Sequence, residues 1–410
     1  MQKTQQMVKL TLKRGKEESL LRRHPWIFSG AIHSADGTPE EGDVVEVFTA
    51  SGDFIARGHC GIGSIAVRVL TFDREEPVDG AFWERRIGAA YGVRRALGLT
   101  DSTDTTCYRL VHGEGDDLPG LVIDVYGTTA VVQAHSVGMY LAREEIAEAL
   151  RRVYGGEKLT AVYDKSSGTV PPKSGVEAVD GYLWRSMPSD AAAEVVSTAG
   201  FVLEGGNRFR ANWEDGQKTG FFIDQRDNRA LVGRYARGRR VLNTFCYTGG
   251  FSVYAVQGGA VAVDSVDSSE KAVRLCAENM ALAEPSIPHR EVTADALAFV
   301  REMPREAYDL VILDPPAFAK HHKVLGNALQ GYKRLNAAAL AKMPRGGILF
   351  TFSCSQAVSR EQFRTAVFSA AALAGRRVRI LHQLTQPADH PVNIYHPEGE
   401  YLKGLVLYVE

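Results

Sequence analysis

The chain has almost no net charge, no long apolar run and no ordered pattern of cysteines. Its formal net charge is -1, so a nucleic-acid partner is not announced by the whole chain, and any basic surface must be local. The cysteines number 5 and lack C-x-x-C spacing. That argues against a disulfide framework or a zinc ribbon and fits a reducing, cytoplasmic setting. No stretch approaches the roughly 18 apolar residues of a membrane span. The start, Met1 to Gln6, lacks the apolar core of a signal peptide. Repeats and low-complexity tracts are absent. His321-His322-Lys323 lacks a third ligand at metal spacing and reads as a basic loop, so no metal is expected. With 410 residues, 45% hydrophobic and 24% charged, the composition is that of a globular chain of two or three domains with a large core.

Residues 1–76 read as all-β, from short runs such as Val44–Phe48, Phe54–Gly58 and Ile65–Leu70 separated by Asp36-Gly37 and Gly52-Asp53 turns. Arg14, Lys16, Arg22, Arg23 and His24, followed by Pro25-Trp26-Ile27-Phe28, mix cations with aromatics. They form either a local RNA-binding patch or a solvated loop beside a core Trp. Residues 77–195 read as a small α+β segment. It holds a helix over Phe82–Leu97 with Arg85, Arg86, Arg94 and Arg95 on its polar side, a hairpin of Leu121–Tyr126 and Ala130–Ala134, and a helix over Met139–Tyr154. Lys165–Gly175 is a polar, Pro/Gly-rich exposed loop.

From residue 196 to 410 the pattern changes again. A hairpin is expected around Gly205-Gly206. After Arg240, apolar runs alternate with helical stretches: Val241–Phe245, Ala260–Asp264, Tyr308–Asp314, Ile348–Phe352 and Val378–His382. Repeated βα units imply a doubly wound, mostly parallel sheet. Ser359 with Gln362 three residues on is a capping-box helix start. Gly404–Val409 reads as a closing strand.

Chemistry concentrates at the expected carboxyl ends of these strands, where open α/β sheets bind ligands. Asn243 leads into Thr248-Gly249-Gly250, a loop that lets a ligand approach the backbone at a helix start. Asp267, with Ser268 and Ser269, ends the next strand and could bind two ribose hydroxyls, as in NAD or S-adenosylmethionine. The loop is not G-x-G-x-x-G, which weakens the dinucleotide reading. A plain turn with a capping Asp is the alternative. Asp295 either accepts from an adenine amino group or only caps a helix. Asp314-Pro315-Pro316-Ala317-Phe318 is a rigid strand exit, because prolines cannot continue the ladder. Phe318 could stack on a base or belong to the core. Gly220–Arg226, including Gln225 and Arg226, either packs on a cofactor or forms the sheet's entry turn. Cys354 closes the run Gly347–Ser353; beside a cofactor loop it reads as a nucleophile, and taken alone as a buried thiol. Cys60, Cys107, Cys246 and Cys276 read as packing residues.

Together these motifs resemble the RlmI-type family of bacterial 23S rRNA cytosine-C5 methyltransferases. The likeness rests on Gly220–Arg226, Asn243–Phe251, Ser265–Ser269, Asp314–Phe318, Phe352–Ser355, Ala388–Pro391 and Pro397–Gly404. Upstream, His24–Phe28 and Gly113–Leu121 share it. The resemblance implies an α/β fold with an N-terminal all-β PUA-like RNA-binding domain, a small α+β domain and a C-terminal Rossmann-like class I methyltransferase domain. It implies S-adenosyl-L-methionine as cofactor and 23S rRNA or a large-subunit assembly intermediate as partner. A homodimer and no membrane association are also expected.

The implied mechanism is covalent. A Cys354 thiolate adds to cytosine C6 and makes C5 nucleophilic, splitting one hard step into easier ones. Asp314 holds the base edge and assists protonation at N3. Pro315, Pro316, Phe318, Arg22 and Arg23 contact the substrate. Asp267 takes the ribose and Asp295 the adenine. The loop with Asn243, Phe245, Tyr247, Thr248 and Gly249 faces the methionine part. Ala317 stands where many RNA cytosine methyltransferases carry a second Cys, so the base that removes the C5 proton is unassigned. Two other readings stay open. One is a methyltransferase of the same fold acting on another base or on protein, with Cys354 structural. The other is a non-catalytic RNA-binding protein.

Overall fold

The structure is a computed structural model that describes residues 7–156, 158–186, 199–319 and 324–410. The basic run His321–Lys323 lies outside them. The described chain divides into two compact units. One comprises residues 1–202, 211–223 and 388–399, the other 203–210, 224–387 and 400–410.

The N-terminal unit carries two sheets. The first contains β1 (Lys9–Leu12), β2 (Trp26–Phe28), β3 (Ile32–Ala35), β4 (Val44–Phe48), β5 (Phe54–Cys60) and β6 (Ile65–Thr71), in the order β2-β6-β5-β4-β1-β3, with a short helix α1 (Glu18–Leu21) between β1 and β2. Leu10, Leu12, Ile27, Val45, Val47, Val67 and Val69 alternate inward to form its core, as the two-residue period of a strand requires.

The second sheet follows α2 (Gly80–Ala96). It contains β7 (Cys107–His112), β8 (Leu121–Tyr126), β9 (Thr129–Ala134), β10 (Ala161–Asp164) and β11 (Gly181–Arg185), in sequential order across the sheet. The Asp79 carboxylate accepts from Phe82 N at 2.9 Å and starts α2, satisfying one of the helix's free donors. Phe82, Trp83 and Ile87 then pack into a core with Leu121, Ile123, Val132, Ile146 and Leu150.

Two expectations change here. The helix over 139–154 is two helices, α3 (Val137–Leu141) and α4 (Arg143–Tyr154), because Ala142 relaxes to ψ 0 and opens the ladder. No Gly or Pro marks that break. Arg94 does not lie on a polar face: it is fully buried. Its guanidinium reaches both Asp116 oxygens, and its Nη2 also donates to Asp389 O at 2.7 Å. A buried cation persists because the carboxylate neutralises it, and the partner lies too far along the chain for periodicity to find.

Strands β12 (Ala199–Glu204) and β13 (Asn207–Asn212) form the hairpin expected around Gly205 and Gly206, both at positive φ. The second unit then builds a doubly wound sheet. Its elements are α5 (Arg226–Ala236), β14 (Arg240–Thr244), α6 (Gly250–Gln257), β15 (Ala262–Asp267), α7 (Glu270–Leu282), β16 (His289–Thr293), α8 (Ala296–Glu302), β17 (Leu310–Leu313), α9 (Leu325–Lys342), β18 (Ile348–Ser353), α10 (Arg360–Leu373), β19 (Val378–Leu384) and β20 (Lys403–Val409). The order is β16-β15-β14-β17-β18-β20-β19. The five strands from β16 to β18 run parallel, and β20 pairs antiparallel with both its neighbours.

Alternation assigns the faces. Val241, Leu310, Ile312, Ile348 and Phe350 pack with α5 and α6, while Leu242, Val311, Leu313 and Leu349 pack with α8, α9 and α10. Helices on both faces explain why these strands read as continuous apolar runs. Ser359 and Gln362 form the expected capping box at α10. The strand order reverses between β14 and β17, which creates the crevice at the sheet's carboxyl edge where such folds take ligands.

Candidate active site

After β14 the backbone bends sharply. Phe245 and Tyr247 adopt positive φ of 57° and 46°, with Gly249 at 78°. Two non-glycine residues in this left-handed region mark a held, strained turn. The surroundings fix it: Cys246 N donates to Val266 O at 3.0 Å, Tyr247 N to Asp267 Oδ2 at 3.0 Å, and Asn279 Nδ2 to Thr248 O at 2.8 Å. A Cβ on Gly249 would lie 2.5 Å from Cys276 Sγ, so glycine is required for space as well as for φ. The Cys246 thiol, hydrogen-bonded to Cys276 and buried, is pushed well up.

Asp267 ends β15. Its Oδ1 accepts from Ser269 N at 2.9 Å, so each carboxylate oxygen takes one backbone N–H; Ser269 in turn caps α7. Ser268 between them is exposed. Asn243 is fully buried, and its Nδ2 donates to Ser252 Oγ at 2.9 Å, beneath the loop. Asp295 follows the edge strand β16 and caps α8, accepting from Ala298 N at 2.8 Å.

On the other side of the reversal, Asp314 follows β17 and is half-buried. Gln225 Nε2 donates to its Oδ2 at 3.0 Å, and Gln225 Oε1 accepts from Asn228 Nδ2 at 2.6 Å. Gln225 thus connects the Gly220–Arg226 motif to the Asp-Pro-Pro motif, a link that spacing does not reveal. Arg226 is half-buried, its guanidinium 3.8 Å from the Asp227 carboxylate. Pro315 is buried and Pro316 exposed. Phe318 is half-buried against Tyr332, with ring centroids 4.7 Å apart. Burial pushes the Tyr332 hydroxyl up to about 12, and it accepts from Ser353 Oγ at 2.9 Å.

Cys354 follows β18, the next strand over. It is half-buried, with Sγ 3.9 Å from Pro315 O. Opposite it lies a residue the sequence reading missed. Lys403, 3% exposed, pairs with Ser353 in the antiparallel register of β18 and β20, and its Nζ donates to Ser355 O at 2.7 Å. Burial pushes this ammonium down to about 8, opposed by attraction to Cys354. In the sequence it stands as a lone cation in the apolar run Leu402–Val409 and within the Pro397–Gly404 stretch, with no role assigned to it. Tyr401, in the same stretch, likewise had no assigned role; its hydroxyl donates to Asp224 Oδ2 at 2.7 Å. The edge of this sheet therefore gathers the turn of residues 245–249, Asp267, Asp314 and Cys354 on successive strand ends.

The other substrate candidates belong to the N-terminal unit. Arg22 is exposed, 3.5 Å from Glu18. Arg23 adopts φ 63°, stacks on Phe72 at 5.1 Å and lines a cavity of about 970 Å³ with Arg85, Arg86 and Tyr395. Arg85 and Arg86 are both paired with Glu76. Trp26 donates to Glu114 Oε1 at 2.8 Å and packs on His396 at 4.3 Å. His24, His396 and Glu398 bring three potential ligand atoms within 4.8 Å of one another, a grouping across the whole length of the chain that local spacing could not show.

Residues 10–72 match the family model of a PUA-like domain, and residues 109–392 that of an S-adenosylmethionine-dependent methyltransferase. A Tolumonas auensis protein named ribosomal RNA large subunit methyltransferase I is 42% identical over 97% of this chain and 98% of its own. An Aeromonas hydrophila protein of the same name is 40% identical over the same shares. A crystal structure described as a methyltransferase complexed with SAH superposes with a TM-score of 0.82 at 23% identity, over 98% of this chain and 100% of that one. A Streptococcus mutans SAM-dependent methyltransferase gives 0.80, also at 23% identity and with the same coverage. These two likenesses are of fold. No helix among the described residues is long and apolar enough to cross a membrane.

Proposed function

We propose that this chain, which belongs to the S-adenosylmethionine-dependent methyltransferase family, methylates C5 of a cytosine in large-subunit (23S) ribosomal RNA through a covalent bond between Cys354 and C6. The observation that carries the reading is the pairing of a half-buried thiol with an anchored carboxylate on neighbouring strand ends. Cys354 sits against the Pro315 carbonyl, and Asp314 is held by Gln225. Methylation of a ring nitrogen needs no thiol; cytosine C5 does, because it becomes a competent nucleophile only after addition at C6. The names of the relatives support the RNA class.

The residues at the edge fit S-adenosylmethionine. Each Asp267 oxygen that takes a backbone N–H has a second lone pair for a ribose hydroxyl. The left-handed turn at 245–249 lets the methionine part approach the backbone of Phe245, Tyr247, Thr248 and Gly249, with Asn243 supporting it from below. Ser268 and Arg226 flank the same cofactor, and Asp295 adds an acceptor for the adenine amino group while it caps α8. When bound, the cofactor supplies an electrophilic methyl group.

The protein's own part is as follows. The Cys354 sulfur forms a bond to C6, and the electron pair of the 5,6 double bond shifts to C5. Asp314 grips the amino edge of the base and assists protonation at N3. Pro315 and Pro316 hold that carboxylate on a rigid exit, and Phe318 lies beside the base. After methylation the C5 proton passes to solvent water, the C5–H electron pair re-forms the 5,6 double bond, and the sulfur–C6 bond breaks with its pair returning to the Cys354 sulfur. In the same reading residues 1–76 grip RNA, with Arg22 and Arg23 on phosphates, residues 77–195 form the central domain, and residues 196–410 carry the chemistry.

The test is a covalent trap. The protein is mixed with S-adenosylmethionine and ribosomal RNA transcribed with 5-fluorocytidine, then run on a denaturing gel. Fluorine at C5 blocks proton loss, so an adduct is expected that disappears in Cys354→Ala. Methyl transfer to ordinary RNA without any adduct would overturn the reading.

A further inference from the structure

We propose that Lys403 is the positioning residue that holds Cys354 as a thiolate, its ammonium fixed on the Ser355 carbonyl beside the sulfur. The inference rests on Cys354 being the nucleophile. A thiol must be largely ionised to attack, and low-pKa cysteines sit next to cations.

The geometry supplies that cation. Strand pairing sets Lys403 opposite Ser353, one residue before the thiol, and the 2.7 Å bond to Ser355 O, one residue after it, stretches the side chain along the turn that carries Cys354. Ser355 is itself tied to Ala319 O, and Ser353 to Tyr332. The turn, and the ammonium with it, are therefore fixed. At 3% exposure Lys403 is shielded from the water that would screen its charge.

A buried ammonium needs a reason to persist. Its hydrogen bond to Ser355 O is to a neutral carbonyl, and Glu400, which attracts it, is also bonded to Arg360. Among the described residues, Tyr332, which burial keeps neutral, lies near both the thiol and Asp314, which acts on it from the adjacent strand. A carboxylate on the adjacent strand end disfavours a second negative charge nearby, an effect that the Lys403 cation offsets. Burial pushes Lys403 down while Cys354 pushes it back up. By reciprocity the ammonium must favour the thiolate by the same coupling. The assistance is present below a pH of about 8, where the ammonium persists, and fades above it.

The experiment is the pH dependence of iodoacetamide labelling at Cys354, read by peptide mass spectrometry on the full chain without RNA. In Lys403→Met the labelling midpoint should rise by about one pH unit, a roughly tenfold loss of thiolate at neutral pH. Lys403→Arg, which keeps the charge, should restore most of it. Equal midpoints in the wild type and the Met variant would overturn the inference. Should the Met variant fail to fold, the wild type still decides. Cys60 is raised by burial and by Asp43 and Glu41, so Cys354 must label with a midpoint below that of Cys60, and one at or above it refutes the proposal. Labelling does not depend on turnover. An RNA adduct with unshifted midpoints removes Lys403 alone, whereas a shifted midpoint with no adduct removes the covalent mechanism and leaves the electrostatic coupling.

Discussion

In the N-terminal unit, three buried or half-buried arginines end on carboxylates. Arg94 takes both oxygens of Asp116, Arg109 both oxygens of Asp124, and Arg57 meets Glu46 at 2.7 Å. The C-terminal unit has such a pair too, Glu204 with Arg229, but its strand ends are different. There Asp314 is held on one oxygen by a neutral amide, Asp267 by backbone N–H groups, and Lys403 by a carbonyl. A guanidinium that takes both oxygens of a carboxylate holds it in place by that pairing, whereas the Gln225 amide and the backbone N–H groups orient their carboxylates through neutral donors. In the proposed reaction, the carboxylates of the second kind are the ones that act.

The comparison is tested most severely at Cys354. Cys354→Ala should lower methyl transfer by at least about 10³-fold, while S-adenosylmethionine affinity by calorimetry stays within about twofold. A loss of affinity as large as the loss of rate would place the thiol in the cofactor's support instead. Arg94→Met should behave oppositely. Removing one partner leaves Asp116 buried and unpaired, at a cost of about 3–5 kcal/mol. Tryptophan fluorescence can read this, because all 4 tryptophans of the chain, Trp26, Trp83, Trp184 and Trp213, lie in the N-terminal unit. Turnover per folded molecule should not change. A stability loss under about 1 kcal/mol would show that the pair is not neutralising a buried charge.

Acid sharpens the same contrast. His59 is buried, lies against Trp83 at a centroid distance of 6.0 Å, and is pushed down to about 4 from 6.5 by burial and then by Arg68. Between those values the unfolded chain binds the proton and the folded one does not. Stability therefore rises with pH across the window and falls as pH drops from 6.5 toward 4, by on the order of 3 kcal/mol in full. His59→Phe should flatten the acid side of the denaturation profile followed by tryptophan fluorescence. Parallel wild-type and variant profiles would mean that His59 does not titrate in this window.

How much of this was legible beforehand depends on the range of the interaction. The βα alternation, the capping box at Ser359 and the Gly205-Gly206 hairpin follow from local periodicity and turn chemistry, and the structure has them. Asp267, Asp314 and Cys354 were legible as strand-end residues because apolar runs stop there. Lys403 and the Gln225–Asp314 bond were not, since each depends on strand register or on contacts 89 residues apart. Arg94 shows the reverse failure: helical spacing assigned it to a polar face, but a partner 22 residues away drew it inside.

The smallest effect is expected at Gln225. Its amide donates to Asp314 while its carbonyl is held by Asn228, which leaves the amide no freedom to flip. Gln225→Leu keeps the volume and removes the donor, so Asp314 loses one constraint on its direction but none of its charge. The rate should fall about tenfold, near 1.4 kcal/mol, in kcat with little change in KM for RNA. Gln225→Glu is the sharper variant, because it replaces a donor by a like charge 3.0 Å from the carboxylate. It should raise the pH at which Asp314 ionises and shift the acid limb of the kcat profile upward. A larger effect from Leu than from Glu would mean that Gln225 acts through packing, and the contrast between carboxylates paired with guanidinium groups and those oriented by neutral donors would lose its clearest member.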